Sequence, residues 1–252
     1  MKDARPQIPA MPRKAMLLAA GHGTRLRPLT ERIPKCMVAI NGRPLLEHTI
    51  ERLKAYGVTD LLINLHYMPE AVTDHFGDGG RWGVRITYSR ERELLGTAGA
   101  VKKVEGFFDG PFFVLYADNL STCRLDRLWA THSSAGAVAT IALHEREDPT
   151  QSGIVGLDDS GRVTRFLEKP RPDQVFSHWV SAGILALDPR VIDSIPAEGA
   201  RDFGRDIFPR LLGEGAAIYG YKMTDGEGLW WIDTAADLER VKAEMSERAE
   251  AS

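Results

Sequence analysis

From Lys14 onward, short apolar runs that close on glycine or polar residues alternate with longer stretches of helical period. That alternation is the sequence form of an α/β fold with a mostly parallel sheet. AMLLAA (15–20), DLLINLH (60–66), VRITYS (84–89) and FFVLYA (112–117) are rich in strand formers and bounded by turn residues, so each predicts a strand. Between the first two, PLLEHTIERLKAYG sets Leu45, Leu46, Ile50 and Leu53 on one face with Gly57 behind them. This predicts a helix and its C-terminal stop.

The second half changes character. AVATIALHE, GIVGLD, GRVTRFLE and VSAGILALD follow one another closely, and Asp159-Ser160-Gly161 joins the middle two as a hairpin. The pattern predicts an antiparallel portion that carries the substrate side of a cleft. Beyond it come a predicted helix from Phe203 to Leu212, a strand AIYGYKM, and a last helix beginning near Thr234. No internal repeat and no six-residue periodicity is visible. The expected organisation is a loose, proline-rich leader over residues 1–13 followed by one catalytic domain over residues 14–252, without an appended β-helix.

Composition narrows the partners. The 252 residues are 43% hydrophobic and 27% charged, ordinary for a chain with a buried core. A formal charge of -3 lacks the lysine and arginine surplus that nucleic-acid binding needs, so any phosphate site must be a local basic cluster. No apolar run reaches the roughly 18–20 residues that span a bilayer, and the leader has no apolar signal core. Cys36 and Cys123 stand far apart without metal-ligand spacing, which points to a reducing compartment. The expectation is a cytoplasmic protein with neither membrane nor nucleic acid as partner.

The first strand runs into Ala20-Gly21-His22-Gly23-Thr24-Arg25. Glycines there let the main chain approach a ligand, and consecutive N–H groups can face an anion. The loop lacks the Gly-Lys-Ser/Thr ending of the Walker arrangement and the third glycine of the dinucleotide fingerprint. Phosphoryl-type transfer is catalysed chiefly by positioning and by cations around the phosphorus, and Arg25 and Lys35 supply cations close to this loop.

The segment LLAAGHGTRLRPLTERIPKCMVAINGRPLLEHTI resembles the opening signature of the sugar-1-phosphate nucleotidyltransferases, the NDP-sugar pyrophosphorylases. The nearest resemblance is to the branch that transfers guanylyl groups to mannose or heptose 1-phosphate. It implies a three-layer, doubly wound, mostly parallel sheet with an inserted antiparallel sugar-binding portion. It also implies that Ala20, Gly21, Gly23 and Thr24 wrap a triphosphate, that Arg25 lies against the phosphates, and that Lys35 supports the transfer. Glu91 and the LGTAGA segment with Gly96 and Thr97 resemble the base pocket, where a carboxylate accepts from guanine N1–H and the 2-amino group; this favours GTP.

The resemblance further places nucleotide and Mg²⁺ on Asp118, which ends the strand FFVLYA, with Asn119 beside the sugar phosphate. A second Mg²⁺ ligand is expected at Asp233 in GLWWIDT, although the usual glycine-threonine-proline after it is replaced by Thr234-Ala235-Ala236, which leaves helix capping as its alternative role. Phe166-Leu167-Glu168-Lys169-Pro170 resembles the glutamate-lysine-proline motif, so Glu168 takes a sugar hydroxyl and Lys169 its phosphate. Gly153 lines the sugar pocket, and Ser181 stands where the family carries asparagine, which implies a larger or differently hydroxylated sugar.

The implied partners are a nucleoside triphosphate and a sugar 1-phosphate, with Mg²⁺ as cofactor. The resemblance leaves a uridylyl or thymidylyl donor open, and relatives that self-assemble leave a homo-oligomer open. A catalytically silent relative should lack one of Arg25, Lys35, Asp118, Lys169 and Asp233, and this chain has all five. An inverting glycosyltransferase would carry Asp-x-Asp where Asp118-Asn119-Leu120 stands.

Overall fold

The structure, a computed structural model, describes residues 9–250, with side chains to residue 248. Of the expected leader, residues 1–8 lie outside the described residues. The fold is mixed α/β with a large, mostly parallel sheet, as the alternating runs predict. By internal contacts the chain forms two compact units, each built from separated stretches. No helix among the described residues is long and apolar enough to cross a membrane.

One unit comprises Arg13–Leu94, Leu115–Thr122 and Gly226–Ser252, and it holds the glycine-rich loop. Its strands Lys14–Leu18, Asp60–Leu65 and Arg85–Arg90 run parallel, Lys14 opposite Asp60 and Asp60 opposite Arg85. The middle strand is buried along nearly its whole length, which is why its run is almost continuously apolar. The helix Leu45–Ala55 buries Leu45, Leu46, Thr49, Ile50 and Leu53, the predicted face. It stops where Gly57 takes φ +77° and its N–H closes on the Lys54 carbonyl.

A separate core cluster in this unit gathers Leu26, Val38, Ile40, Leu45, Leu120, Trp230, Ile232, Leu238 and Val241. It binds the loop, the first helix and the C-terminal segment together. On it lies a short antiparallel pair, Asn119–Ser121 against Leu229–Trp231, with Asn119 opposite Trp231. Asp118 immediately precedes one strand and Asp233 closely follows the other, so this pairing brings the two aspartates to the same end of the ribbon.

The other unit comprises Met1–Pro12, Leu95–Val114 and Cys123–Asp225 and is mainly antiparallel. Gly153–Leu157 pairs with Val163–Glu168, Trp179–Leu187 pairs with Ala139–Glu145, and Ile218–Lys222 lies parallel to the latter strand. The predicted hairpin turn is present. Asp158 Oδ1 accepts from the N–H groups of Ser160 and Arg162, and Gly161 takes φ +81°. From residue 9 on, the leader meets this unit: Trp129 Nε1 donates to the Pro9 carbonyl at 2.7 Å, and Pro12 is buried.

The helix expected from Phe203 to Leu212 is divided. Phe203–Ile207 form a π-helical turn and Phe208–Gly213 an α-helix. Pro209 has no N–H to donate one turn back, so the regular helix restarts at Phe208 with the proline in its first turn.

Candidate active site

In the loop unit, three predicted residues share one point. Lys35 opens a 3₁₀ turn after Pro34 and is only 7% exposed. Its Nζ donates to Asp118 Oδ2 and to Asp233 Oδ1, both at 2.9 Å. Arg25 Nη2 donates to the same Asp233 oxygen at 2.9 Å. Burial alone would lower the Lys35 pKa, but the charges and hydrogen bonds of Asp118 and Asp233 outweigh it and hold the pKa above the ordinary value. The lysine therefore stays charged and keeps two carboxylates, which would otherwise repel, at hydrogen-bond distance from one atom.

Asp233 is not the cap of the last helix. Thr234 Oγ1 accepts the Asp237 N–H, and Asp237 Oδ2 accepts the Thr234 N–H, a reciprocal cap that leaves the Asp233 side chain to face Lys35 and Arg25. The glycine-rich loop is shaped around the same lysine. Gly23 has φ +60°, and a Cβ on it would stand 2.9 Å from Lys35 Cβ, so only glycine lets the loop cross the lysine stem. Gly21 has no atom within 4 Å of a built Cβ, Thr24 is exposed, and Ala20 is buried beneath the loop. Asn119 is buried in the ribbon beside Asp118.

Glu91 is buried as well. Its Oε1 accepts from Asn64 Nδ2 at 2.8 Å, while Asn64 Oδ1 accepts the Ala19 N–H at 2.9 Å. His66 Nδ1 meets the Glu91 carbonyl at 3.0 Å, and the His66 ring stands edge-on to His22, with centroids 5.1 Å apart.

In the hairpin unit, Gly153 and Glu168 are register partners. A Cβ on Gly153 would lie 2.6 Å from Glu168 Oε2, and one on Gly204 would lie 2.5 Å from the same atom. The carboxylate thus passes between two glycines. Partial burial raises its pKa, the charges of Lys169 and Arg205 act downward, and Asp202 acts upward; the net direction is up. Lys169 is exposed at φ +48°, a left-handed conformation uncommon for a side chain with Cβ, and its N–H is tied to the Ser152 carbonyl. Ser181 is half-buried at a register irregularity, with its Oγ toward the Gly183 N–H at 3.4 Å.

The glycines of LGTAGA answer to the chain's own backbone. A Cβ on Gly96, at φ +74°, would stand 2.4 Å from the Arg201 carbonyl oxygen, which also accepts the N–H groups of Ala98 and Gly99. Thr97 donates through its N–H and its Oγ1 to Asp202 Oδ1, and accepts the Phe203 N–H at 2.9 Å. The start of the helix Gly96–Lys103 is therefore filled by residues 201–203. Gly204, Asp202 and Asn64 are structural members of these clusters that the sequence reading did not single out. A glycine inside a predicted helix and an asparagine inside an apolar strand were the available signals.

Residues 14–244 match the family described as nucleotidyl transferase. The chain belongs to that family. Among curated relatives, it is 38% identical over 234 residues to a UTP--glucose-1-phosphate uridylyltransferase of Synechocystis, with 87% of this chain and 59% of that protein covered. It is 35% identical over 223 residues to a mannose-1-phosphate guanyltransferase 2 of Candida glabrata, with 86% and 60% covered. The chain thus spans about three fifths of the length of these relatives. Among solved structures, HddC from Yersinia pseudotuberculosis complexed with GMP-PN superposes with a TM-score of 0.75 at 25% identity, covering 92% of this chain and 99% of that one. A UDP-glucose pyrophosphorylase complexed with UDP-glucose has the same fold, with a TM-score of 0.81 at 18% identity and 94% and 100% covered. The family seen in the opening signature and the doubly wound α/β fold expected from it are both borne out.

Proposed function

We propose that this nucleotidyl transferase chain moves a nucleotidyl group from a nucleoside triphosphate, with GTP as the first choice, to a sugar 1-phosphate of mannose-like or heptose-like shape or a related cyclitol phosphate. The observation that carries the reading is the Lys35 ammonium shared by Asp118 and Asp233, with Arg25 on the same Asp233 oxygen. GTP is favoured by the guanyltransferase relative and by the GMP-PN complex of HddC; the uridylyltransferase relative keeps UTP as the alternative.

The donor set suits Mg²⁺. Asp118 and Asp233 each offer an oxygen beyond the one that meets Lys35, and their side chains are 46% and 25% exposed, open enough for water and phosphate oxygens to complete a shell. Mg²⁺ is held typically by one or two carboxylates plus phosphates and water, and two carboxylates are what converge here. When bound, the ion supplies charge neutralisation to the triphosphate.

The chain's own groups then divide the work. An oxygen of the sugar phosphate forms a bond to the α-phosphorus as the bond to the bridging oxygen breaks, and pyrophosphate leaves with that electron pair. Arg25 and Lys35 meet the negative charge that grows on the phosphoryl oxygens, and the open face of the loop at Gly21 admits the triphosphate. Glu168, set between Gly153 and Gly204, accepts from a sugar hydroxyl, and the adjacent Lys169 holds the dianion. No covalent enzyme intermediate is required.

The test is pyrophosphate release from the four nucleoside triphosphates against a panel of sugar 1-phosphates, with Mg²⁺ and with chelator. Release in a single donor row that chelator abolishes is the expected result. Nucleotide-sugar binding without turnover in any cell of that matrix would overturn the reading and leave a binding relative.

A further inference from the structure

The helix Gly96–Lys103 draws its cap from a distant stretch of the chain. The Arg201 carbonyl accepts the Ala98 and Gly99 N–H groups at 2.9 and 3.1 Å, and the Arg201 N–H donates to the Leu95 carbonyl at 2.8 Å. Asp202 Oδ1 accepts from both the N–H and the hydroxyl of Thr97, each at 3.2 Å. A carboxylate suits that place, because the start of a helix carries unpaired N–H groups and the positive end of the dipole. The Thr97 hydroxyl also accepts the Phe203 N–H at 2.9 Å, so its hydrogen and a lone pair are both committed and its orientation is settled.

Asp202 stands at the N-cap of its own turn, Phe203–Ile207, yet its side chain makes no capping bond there. An aspartate in that position ordinarily accepts an N–H two or three residues on. Here the carboxylate is committed to Thr97, while the Asp202 N–H goes to Asp206 Oδ2 at 2.7 Å. The turn is π-helical, a rare insertion that is frequent at functional sites. Gly204 is its second residue and bounds the Glu168 carboxylate, since a Cβ there would stand 2.5 Å from Oε2 and 3.1 Å from Phe166 Cε1. Phe203 is buried and stacks on Phe208 at 5.7 Å, and Phe208 meets Phe166 of the Glu168 strand at 5.2 Å.

We propose that Asp202 is a positioning residue for the sugar 1-phosphate: its bonds to Thr97 fix the turn that carries Gly204, and Gly204 fixes where the Glu168 carboxylate stands. The inference rests on the proposed function for the ligand of Glu168 and goes beyond it by naming the residue that sets the place of that carboxylate. Asp202 touches no substrate in this role. The bonds of Arg201 to Leu95, Ala98 and Gly99 are backbone bonds that a change of side chain at 202 leaves in place, so the effect falls on the sugar and not on the triphosphate. Charge is the competing account. Burial is the main cause of the raised Glu168 pKa, and the Asp202 charge adds to it against Lys169 and Arg205.

The experiment separates place from charge, by initial rates of pyrophosphate release with GTP and mannose 1-phosphate, or with the fastest pair of the donor-by-sugar matrix. Asp202→Glu keeps the charge and carries the carboxylate one methylene further. Its kcat/KM for the sugar 1-phosphate is expected to fall on the order of 30- to 100-fold, with KM for the triphosphate within about twofold of the unaltered protein. Asp202→Asn, the conservative variant, loses the charge but keeps an oxygen for Thr97, and its sugar kcat/KM is expected to recover to within about threefold. Asp202→Ala removes the oxygen without adding bulk. It is expected to lose sugar kcat/KM as Asp202→Glu does, and it carries the test where Asp202→Glu does not fold. Hydrogen exchange of the Phe203 and Gly204 amides in the ligand-free protein should quicken in Asp202→Glu and Asp202→Ala and not in Asp202→Asn. A fall in Asp202→Asn as deep as in Asp202→Glu would make charge the cause and overturn the proposal. So would a loss confined to the triphosphate KM, or an unchanged sugar kcat/KM in both Asp202→Glu and Asp202→Ala. An unaltered protein that turns over no pair sinks the proposed function instead, and the exchange measurement still decides whether Asp202 holds the turn.

Discussion

Replacing Gly204 with alanine should separate sugar recognition from stability. The residue lies in the π-helical turn without a positive φ, so its backbone suits alanine, and relief of glycine's chain entropy contributes roughly 0.5–1 kcal/mol in favour of the variant. Against this, the new Cβ would sit 2.5 Å from Glu168 Oε2 and 3.1 Å from Phe166 Cε1, where ordinary contact begins at 3.4 Å. The carboxylate, the movable end of its side chain, must retreat by about 0.9 Å, the difference between 3.4 and 2.5. An off-rotamer torsion costs on the order of 0.5–1.5 kcal/mol, so the two effects nearly cancel and the melting temperature should move by no more than about 2–4 °C. Recognition does not cancel. A misplacement near 1 Å of a substrate-positioning group costs on the order of 100-fold, so kcat/KM for the sugar 1-phosphate should fall by about that factor while KM for the triphosphate stays put. Initial rates of pyrophosphate release with each substrate varied in turn, beside a thermal melt, give both readings. If the sugar-phosphate kcat/KM stays within about threefold of the unaltered protein at unchanged stability, Glu168 does not bind the sugar and the reasoning fails.

Lys35→Met keeps the buried stem and removes the cation; pyrophosphate release at saturating Mg²⁺ should drop on the order of 100- to 1000-fold, and near-normal turnover would exclude the lysine from the transfer. Gly96→Ala asks a residue with Cβ to adopt φ +74° and to stand 2.4 Å from a carbonyl oxygen that cannot yield without moving residues 199–202, so urea unfolding should show a loss of at least about 2 kcal/mol. His132, 3% exposed, has its pKa pushed down to about 4 chiefly by burial, with Arg190 acting in the same direction and Asp188 against it. The unfolded chain takes up that proton near pH 6.5 while the folded chain does not, so the stability is full above that pH and lost as pH falls toward 4, by about 2–3 kcal/mol at the lower end. His132→Gln should flatten this part of the urea-midpoint profile, and an unchanged slope would place the acid sensitivity elsewhere.

What the sequence made legible follows the length scale of each signal. Asp60–Leu65 and Leu45–Ala55 are long enough for a hydrophobic period to declare them, and Asp159-Ser160-Gly161 declares its own turn. The strands that bring Asp118 and Asp233 together have three residues each, too few to show any period, and Lys35 is 83 and 198 positions from its two partners. Lys35 is marked by the need for cations near the glycine-rich loop, while the likeness to a family marks Asp118 and Asp233; the reason the two aspartates meet lies in the ribbon Asn119–Ser121 with Leu229–Trp231. Asn64 does not stand out in the sequence because one polar residue in DLLINLH hardly disturbs the pattern of a buried strand, although a buried amide needs hydrogen-bond partners at both ends.

The glycines divide the same way. Gly21, Gly23 and Gly96 read alike in sequence as backbone that a ligand approaches, yet a built Cβ meets a lysine stem at Gly23, a carbonyl at Gly96, and nothing at Gly21. Gly23 and Gly96 are accounted for by the fold, since each has a positive φ and a neighbour that a methyl group would strike. Gly21 has neither, and among the described residues beyond its two chain neighbours no atom comes within 4 Å of a built Cβ. A glycine costs chain entropy on folding, so one that the fold does not use argues for a demand from outside the chain. At the exposed turn between the first strand and Arg25, the proposed function would supply that demand in the triphosphate.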